Sequence, residues 1–387
     1  MKRSLLLLLT LWPLAFSQSL SPGSVPGSPL RGITPRELEL FRSGLDDFSE
    51  VETAEDGLGP AYNGTSCASC HSVPAVGGMT AMTEIHAAYV DDEGKFHAID
   101  GGTLRHLFSI PNHRCQVQVP EKANVIARPI TWRKFRCRLY ESDADEDIEG
   151  GAVGDGLNVK GVRGRVAWVN DLEDGRRRAG RFGWKAQHAT LLAFSADAYR
   201  NEMGITNELL PNEFALGIDE ATMKECSPKR SIEDVRDRRT GLRGIDQFAN
   251  FMRLLAPIER APLSANALQG EALFREIGCA ACHTPQMTTA PNANPVFDRK
   301  PVPLYSDLLL HDVGTGDGIE QAAAQAGEIR TPPLWGLRLR RPLMHDGGSA
   351  TADHAIRRHA VEAAASVAQY NALGERQRFL NAFLDSL

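Results

Sequence analysis

Apolar positions recur at helical spacing in a few stretches of the chain and lose their period between them. In LQGEALFREIGCAACH (268–283), Leu268, Ala272, Leu273 and Ile277 fall near helical spacing, and Gly278 breaks the pattern just before two cysteines. TPRELELFRSGLDDF (34–48) is a similar amphipathic helix. Thr34 is its expected N-cap, Pro35 sits in the first turn, and Glu37 follows three residues after the cap. AQHATLLAFSADAYRNEMG (186–204) predicts a helix ended by Gly204. SIEDVRDRRTGLRGIDQFANFMRLL (231–255) predicts another, broken at Gly241, and the stretches 349–373 and 374–387 predict closing helices.

Between these lies a different texture. Residues from about 85 to 170 carry short runs such as HAAYV, KFHAI, VQVP and RVAWV, with turn residues between them, and read as irregular or partly β. APIERAPLS (256–264) reads as a linker, and 288–303 as a Pro- and Asn-rich loop. With 35 glycines and 22 prolines, long irregular connections are expected. The pattern predicts a mainly α protein with long irregular loops and a small β-containing segment.

The chain has 387 residues, a net charge of -6 and 42% hydrophobic residues, enough for a globular core. The charge is mild, so no nucleic-acid partner is expected. Lys2 and Arg3 precede a mostly apolar run, Leu5 to Phe16, and small residues stand at Ala15 and Ser17. This reads as a secretory signal over 1–17, with an uncleaved anchor as the alternative. The run is short for a bilayer span, and no later stretch is apolar enough for one. The expectation is an exported, soluble mature protein without a stable membrane span.

Two motifs carry the chemistry: Cys67, Cys70 and His71 in SCASCH, and Cys279, Cys282 and His283 in GCAACH. A thioredoxin-like pair has no need of the histidine, and a zinc site needs more ligands at close spacing. Attachment of c-type haem uses all three residues. Two thiols form thioethers with the vinyl groups, and the next residue, His, reaches the iron. Two such motifs predict two covalently bound haem c groups and two haem domains, 30–255 and 256–387. Zinc sites or plain disulfides are the alternatives. Cys115, Cys137 and Cys226 remain, an odd number with no assignable pairing.

The combination GLGPAYNGTSCASCH, GRFGWKAQHATLL with NEMGIT, YSDLLLHDVG and RTPPLWGLRLRRPLMHDGGSAT resembles the bacterial di-haem oxidoreductase family over roughly 30 to 387. That family is similar to di-haem cytochrome c peroxidases and to the di-haem enzyme that matures methylamine dehydrogenase. The resemblance implies two cytochrome c-like domains, a periplasmic location and redox use of both haems. One stretch departs from it: RPITWRKFRCRL (128–139), which contains Cys137, stands where a Pro/Gly-rich segment is expected.

What fills the second axial position decides whether each haem relays electrons or reacts. For the C-terminal haem the candidates are Met344, His345, His354 and His359. Met344 suits a simple His/Met cytochrome. By resemblance His359 stands where the di-haem peroxidases place a methionine, and it shares a helical face with Ala355 and Ile356. His345–Asp346 then reads as a pocket element. For the N-terminal haem Met79, Met82, His86, His97, His106, His113 and His188 are scattered candidates, and an open site is the alternative. Glu202 resembles the distal glutamate of the related peroxidases, although Phe194 stands near where they carry a glutamine. Trp184 resembles their inter-haem tryptophan, with a buried core tryptophan as the other reading. Arg330 is expected either at a haem propionate or in a structural ion pair.

Two function classes follow. One is a peroxidase-like oxidoreductase. In it the C-terminal haem takes electrons from a small redox protein or a quinol-linked donor and passes them to a reactive N-terminal haem, which turns over peroxide or another small substrate. The other is a non-catalytic di-haem electron carrier with both irons six-coordinate. A dithiol oxidase using bare Cys-x-x-Cys pairs would leave His71 and His283 without a purpose.

Overall fold

Helix caps written in the sequence set the first elements. The computed structural model describes residues 25–99, 102–110, 115, 119–131, 141–142, 145–152, 161–212, 219–226 and 234–387. The signal-like run 1–17, His113, Cys137 and residues 132–139 of the divergent stretch lie outside them. Thr34 caps the Pro35–Ser49 helix: its Oγ1 accepts from Glu37 N at 3.2 Å, and the Glu37 carboxylate accepts from Thr34 N at 2.7 Å. Phe41, Gly44 and Phe48 form its buried face. That face packs on the Gly244–Leu254 helix, and a Cβ on Gly44 would collide with the Gln247 carbonyl and with Phe251. Each fully buried Phe of this kind stabilises the fold by about 1.5–3 kcal/mol.

The Leu191–Met203 helix is capped by Thr190, whose Oγ1 accepts from Ala193 N at 3.2 Å, and ends at Gly204 with φ 70°, as expected. The stretch before Gly244 differs from expectation. Asp237 accepts from the backbone of Arg239 and Thr240 and from Thr240 Oγ1, which folds 237–240 into a turn rather than a helix. Helix resumes only at Gly244.

The C-terminal part is built on the Ala265–Glu276 helix, capped by Ser264 and packed on Gln377–Leu384. Its buried face is Ala267, Gly270, Leu273 and Phe274, with Ile277 just beyond, so Leu268 and Ala272 point outward against expectation. The chosen face is the one that lets Gly270 sit against the Phe379 carbonyl, where any Cβ would clash. The 349–373 stretch is two helices, Ala352–Arg357 and Ala364–Ala372, separated by a bend.

Strands are more widespread than the mainly α expectation. The described residues form five small antiparallel sheets. The largest centres on Ile85–Val90, which pairs with Phe96–Ala98, Leu104–Arg105 and Val125–Ala127. Two others, Met287–Thr288 with Pro301–Val302 and Leu310–Asp312 with Glu328–Arg330, lie beyond the segment expected to hold β structure. The fold is therefore mixed helix and strand. One apolar cluster surrounds Phe48, Tyr199, Phe248 and Phe251, and also takes in Phe297, Val302, Leu304, Leu308 and Leu309. A second surrounds Phe274, Tyr305, Tyr370 and Phe383. Cys115 and Cys226, left unassigned by the sequence, form a disulfide across 111 residues. Among the described residues no helix is long and apolar enough to cross a membrane.

Candidate functional site: two cysteine–histidine cavities

Each Cys-x-x-Cys-His motif sits on the wall of its own cavity. In the N-terminal motif, one helical turn, Cys67–Cys70, delivers His71 to a cavity lined by Cys67, Cys70 and His71. His71 Nδ1 lies 3.2 Å from Gly78 O. A carbonyl oxygen only accepts, so Nδ1 carries the proton and Nε2 keeps its lone pair, the state a metal-binding imidazole needs. Burial pushes the Cys70 thiol up from its ordinary value.

Glu202 lines the same cavity from the last turn of the Leu191–Met203 helix. Its carboxylate accepts from Asn63 Nδ2 at 2.8 Å, and its backbone carbonyl accepts from Asn63 N at 2.6 Å. Asn63 Oδ1 accepts from Leu107 N at 2.9 Å, which fixes the amide so that Nδ2 must donate to Glu202. Phe194 also lines the cavity.

Of the scattered second-ligand candidates, Met82 alone among the described residues reaches this wall, with its sulfur 3.8 Å from Cys70 Sγ. The others are engaged elsewhere. His86 faces Thr103 at 2.8 Å, His97 faces Asp91 at 2.6 Å, His106 donates through Nε2 to Asn201 O at 2.7 Å, and His188 lies 3.0 Å from Asp197. Met79 is buried away from the cavity. Among the described lining residues His71 is the one histidine, Glu84 and Glu202 are the charged groups, and there is no lysine or arginine.

The C-terminal cavity is larger. Gly278, at φ 94°, turns the chain into the Cys279–Ala281 turn, and Cys279, Cys282 and His283 line the wall. His283 repeats the His71 arrangement, with Nδ1 3.0 Å from Tyr305 O. His359 lines the same cavity, and its Nδ1 lies 2.8 Å from Ala355 O one helical turn back, which again frees Nε2. Burial first, then the nearby His359, pushes His283 down to about 4. Burial likewise lowers His359. Both rings are thus held neutral at physiological pH.

Met344 and His345 also line this cavity, whereas His354 is exposed and does not. Asp346 pairs with Arg358 at 2.6 Å, which holds its carboxyl down at about 2 and fixes the His345 neighbourhood. Arg330 and Arg340 stand in the wall, both buried. Arg330 donates to Gly183 O at 2.9 Å. Burial, then the charges of Arg341 and Arg330, pushes Arg340 down to about 10. No carboxylate occurs among the described lining residues.

Trp184 lines the C-terminal cavity, with its ring centroid 6.0 Å from that of His345, and donates Nε1 to Ile130 O at 2.9 Å. Ile130 N in turn donates to His345 O at 2.7 Å, and the next residue, Thr131, lines the N-terminal cavity. One peptide, Ile130–Thr131, therefore joins the two walls.

Sequence reasoning passed over His311. Its Nε2 lies 2.9 Å from Asp307 Oδ2 and its Nδ1 2.9 Å from Glu362 Oε2. Burial opposes its charge, but Asp307, Cys282 and Glu362 outweigh burial and push it up to about 12. The i, i+4 spacing of Asp307 and His311 within YSDLLLHDVG was the available signal. Cys282, Asp307 and His311 also lie close enough to hold a metal ion, but Cys282 belongs to the Cys-x-x-Cys-His motif.

The donor set fits haem in both cavities: paired thiols on the wall, an imidazole Nε2 beside them, apolar walls and, in the C-terminal cavity, buried arginines suited to propionates. The family model described as "Di-haem oxidoreductase, putative peroxidase" matches residues 134–387. No curated protein matches the chain. Among solved structures, Kuenenia stuttgartiensis hydrazine synthase is 13% identical, covers 98% of this chain and 100% of its own, and has a TM-score of 0.43. A MauG-like protein associated with microbial copper homeostasis is 15% identical, with coverage of 97% and 95% and a TM-score of 0.41. The di-haem peroxidase BthA from Burkholderia thailandensis is 16% identical, with coverage of 90% and 86% and a TM-score of 0.43.

Proposed function

The chain belongs to the di-haem oxidoreductase family, and from that premise we propose that it is a periplasmic, peroxidase-like c-type cytochrome. Cys67, Cys70 and His71 hold one haem covalently, and Cys279, Cys282 and His283 hold the other. His359 would supply a second protein ligand to the C-terminal haem, and Arg330 and Arg340 would offer their charge to its propionates. With both haems bound, electrons would enter at the C-terminal site from a small redox protein or quinol-linked donor and pass to the N-terminal site, which would reduce peroxide or oxidise another small substrate.

The observation that carries this reading is the asymmetry of the cavities. Four histidines line the C-terminal cavity, and two of them, His283 and His359, hold Nδ1 on a backbone carbonyl, whereas the described wall of the N-terminal cavity holds His71 alone and sets Glu202 beside it. Bound haem supplies the one-electron chemistry and the position where peroxide binds. The chain supplies the proton handling. The Glu202 carboxylate, oriented by Asn63, takes a proton from one peroxide oxygen and returns it to the other. Phe48 and Phe248 line the same wall and limit water there. The Trp184–Ile130–Thr131 contact offers a short bonded route between the sites.

One observation favours the competing electron-carrier reading: Met82 lines the N-terminal cavity, and its thioether on iron would close that site. Optical and EPR spectra of the purified protein, oxidised and half-reduced, separate the two. A high-spin N-terminal haem with peroxide turnover is the expected result. A haem that stays low-spin and unreactive in every redox state points to the carrier.

A further inference from the structure

His359 leaves its helix at a place where the chain reverses sharply. Val361 adopts φ 46°, and Ala360 packs so closely on Gly314 that a Cβ there would lie 2.8 Å from the Ala360 Cβ. Three residues beyond His359, the Glu362 carboxylate gathers three donors. His311 Nδ1 donates at 2.9 Å, Arg163 N at 2.7 Å and Asp312 N at 2.9 Å. Ala360 N adds a bond to Val313 O at 2.8 Å. The segment that carries His359 is thus fastened to the Leu310–Asp312 strand.

The same ring reaches the other side of the cavity. His311 Nε2 donates to Asp307 Oδ2 at 2.9 Å, and Asp307 N donates to Cys282 O at 2.9 Å. A continuous chain, Cys282–Asp307–His311–Glu362, therefore runs from the cysteine motif to the segment after His359. It is shielded from water: the His311, Asp307 and Glu362 side chains are 3%, 5% and 13% exposed. Charge-assisted hydrogen bonds so placed are stronger and more rigid than neutral ones at a surface. The Ala355 bond of His359 sets only the rotation of its ring. This chain ties the two halves of the cavity together beside the apolar packing of Ala352 and Ala355 in the cluster of Phe274 and Ile277.

We propose that Asp307, His311 and Glu362 form a positioning clamp that locks the His359 segment to the Cys282–His283 side and so keeps His359 on the iron. The clamp rests on the reading of His283 and His359 as the two axial ligands. Its signature is the exchange rate of that ligand, not the presence of haem.

The test uses the full, haem-loaded protein. Cyanide is added, and the loss of the low-spin bis-imidazole EPR signal of the C-terminal haem is followed in time. Glu362→Ala is expected to speed that loss on the order of tenfold or more, the factor that one lost charge-assisted bond gives. Mass should show both haems still attached. Arg163 N and Asp312 N donate to different oxygens of Glu362, so Glu362→Gln keeps an acceptor for only one of them, and its rate should fall between. If Glu362→Ala does not fold, Glu362→Gln and His311→Asn carry the measurement. Wild-type exchange rates in all the clamp variants that fold would overturn the clamp. His359→Ala is the separate arm. Its loss of the bis-imidazole signal supports the ligand reading, whereas a retained signal sinks that reading and the clamp with it.

Discussion

His71 and His283 stand in separate cavities yet are held the same way, each with Nδ1 on a backbone carbonyl, Gly78 O at 3.2 Å and Tyr305 O at 3.0 Å. The carbonyl dictates the tautomer and restrains ring rotation, so both imidazoles present the tautomer that a metal ligand needs. Bare Cys-x-x-Cys redox pairs would gain nothing from so defined a histidine.

Covalent attachment of two haems is the first expected outcome of the proposed function. Protein made with a cytochrome c maturation system should keep its colour through acid–acetone extraction and carry the mass of two haems. Cys279→Ala with Cys282→Ala should remove the second haem and leave the first. An intact mass showing one haem or none in the wild type contradicts the assignment.

Axial ligation at the C-terminal haem is expected to be bis-histidine, through His283 and His359. A sulfur ligand gives a charge-transfer band that bis-imidazole haems lack, and bis-imidazole haems usually sit at lower potential. His359→Ala should turn this haem high-spin. Met344 lines the same cavity, so a sulfur band that disappears in Met344→Ala would move the assignment there.

Asp234 gives a pH-dependent stability. It is buried before the Gly244–Leu254 helix, where its Oδ1 accepts from Ile245 N at 3.2 Å. Burial raises its carboxyl from 3.8 to about 6. A folded-state value above the unfolded one means the favourable contribution is complete below 3.8 and lost as pH rises through about 6. At neutral pH the buried charge is a burden of at most roughly 3 kcal/mol. Asp234→Asn keeps the acceptor without the charge. It should therefore melt above wild type at pH 7.5, with the gap closing as pH falls through 6 toward 4. An equal gap at both ends would show that charge is not the cause.

Gly270 lets two helices touch. Any side chain there meets the Phe379 carbonyl, so Gly270→Ala should destabilise the protein by about 1–3 kcal/mol through overpacking. Denaturant titration checks this, and an unchanged midpoint would mean that the helices separate at little cost.

These relationships were unequally visible in the sequence. Thr34, Gly204 and Gly278 act within a few residues of themselves, so these caps and breaks could be read directly. The motif cysteines and histidines likewise act as one short unit. Leu268 and Ala272 misled because two apolar faces compete on that helix, and the close approach at Gly270 selects between them. Gly241 misled because Asp237 hydrogen-bonds its own neighbours before a helix can form. The Cys115–Cys226 disulfide, the Ile130–Thr131 link and the His311–Glu362 bond join residues far apart in sequence, where spacing carries no information. His106 and His188 looked as plausible as any ligand until their partners, Asn201 O and Asp197, were in place.

Glu202 carries the last prediction. It is the proposed acid–base group, one of two carboxylates on the described wall of the N-terminal cavity, and its own helix, the backbone N–H groups of Asn63 and Gly64 and the side-chain amide of Asn63 hold it. A carboxylate so placed can accept a proton and return it without moving, which is what heterolysis of a peroxide bond requires. General acid–base help of this kind contributes about 10²–10⁴ in rate. Glu202→Gln should lower peroxide turnover by that order while both haems stay attached and the resting spectrum barely changes, because the amide keeps the size and the contact to Asn63. Asn63→Ala leaves the carboxylate in place but unoriented, so a smaller loss, about tenfold, is expected. The order of the two effects is the discriminating result. If Asn63→Ala matches or exceeds Glu202→Gln, the loss comes from disturbed packing around Gly64 and Cys67 rather than from proton transfer. Full turnover in Glu202→Gln removes Glu202 from the chemistry altogether.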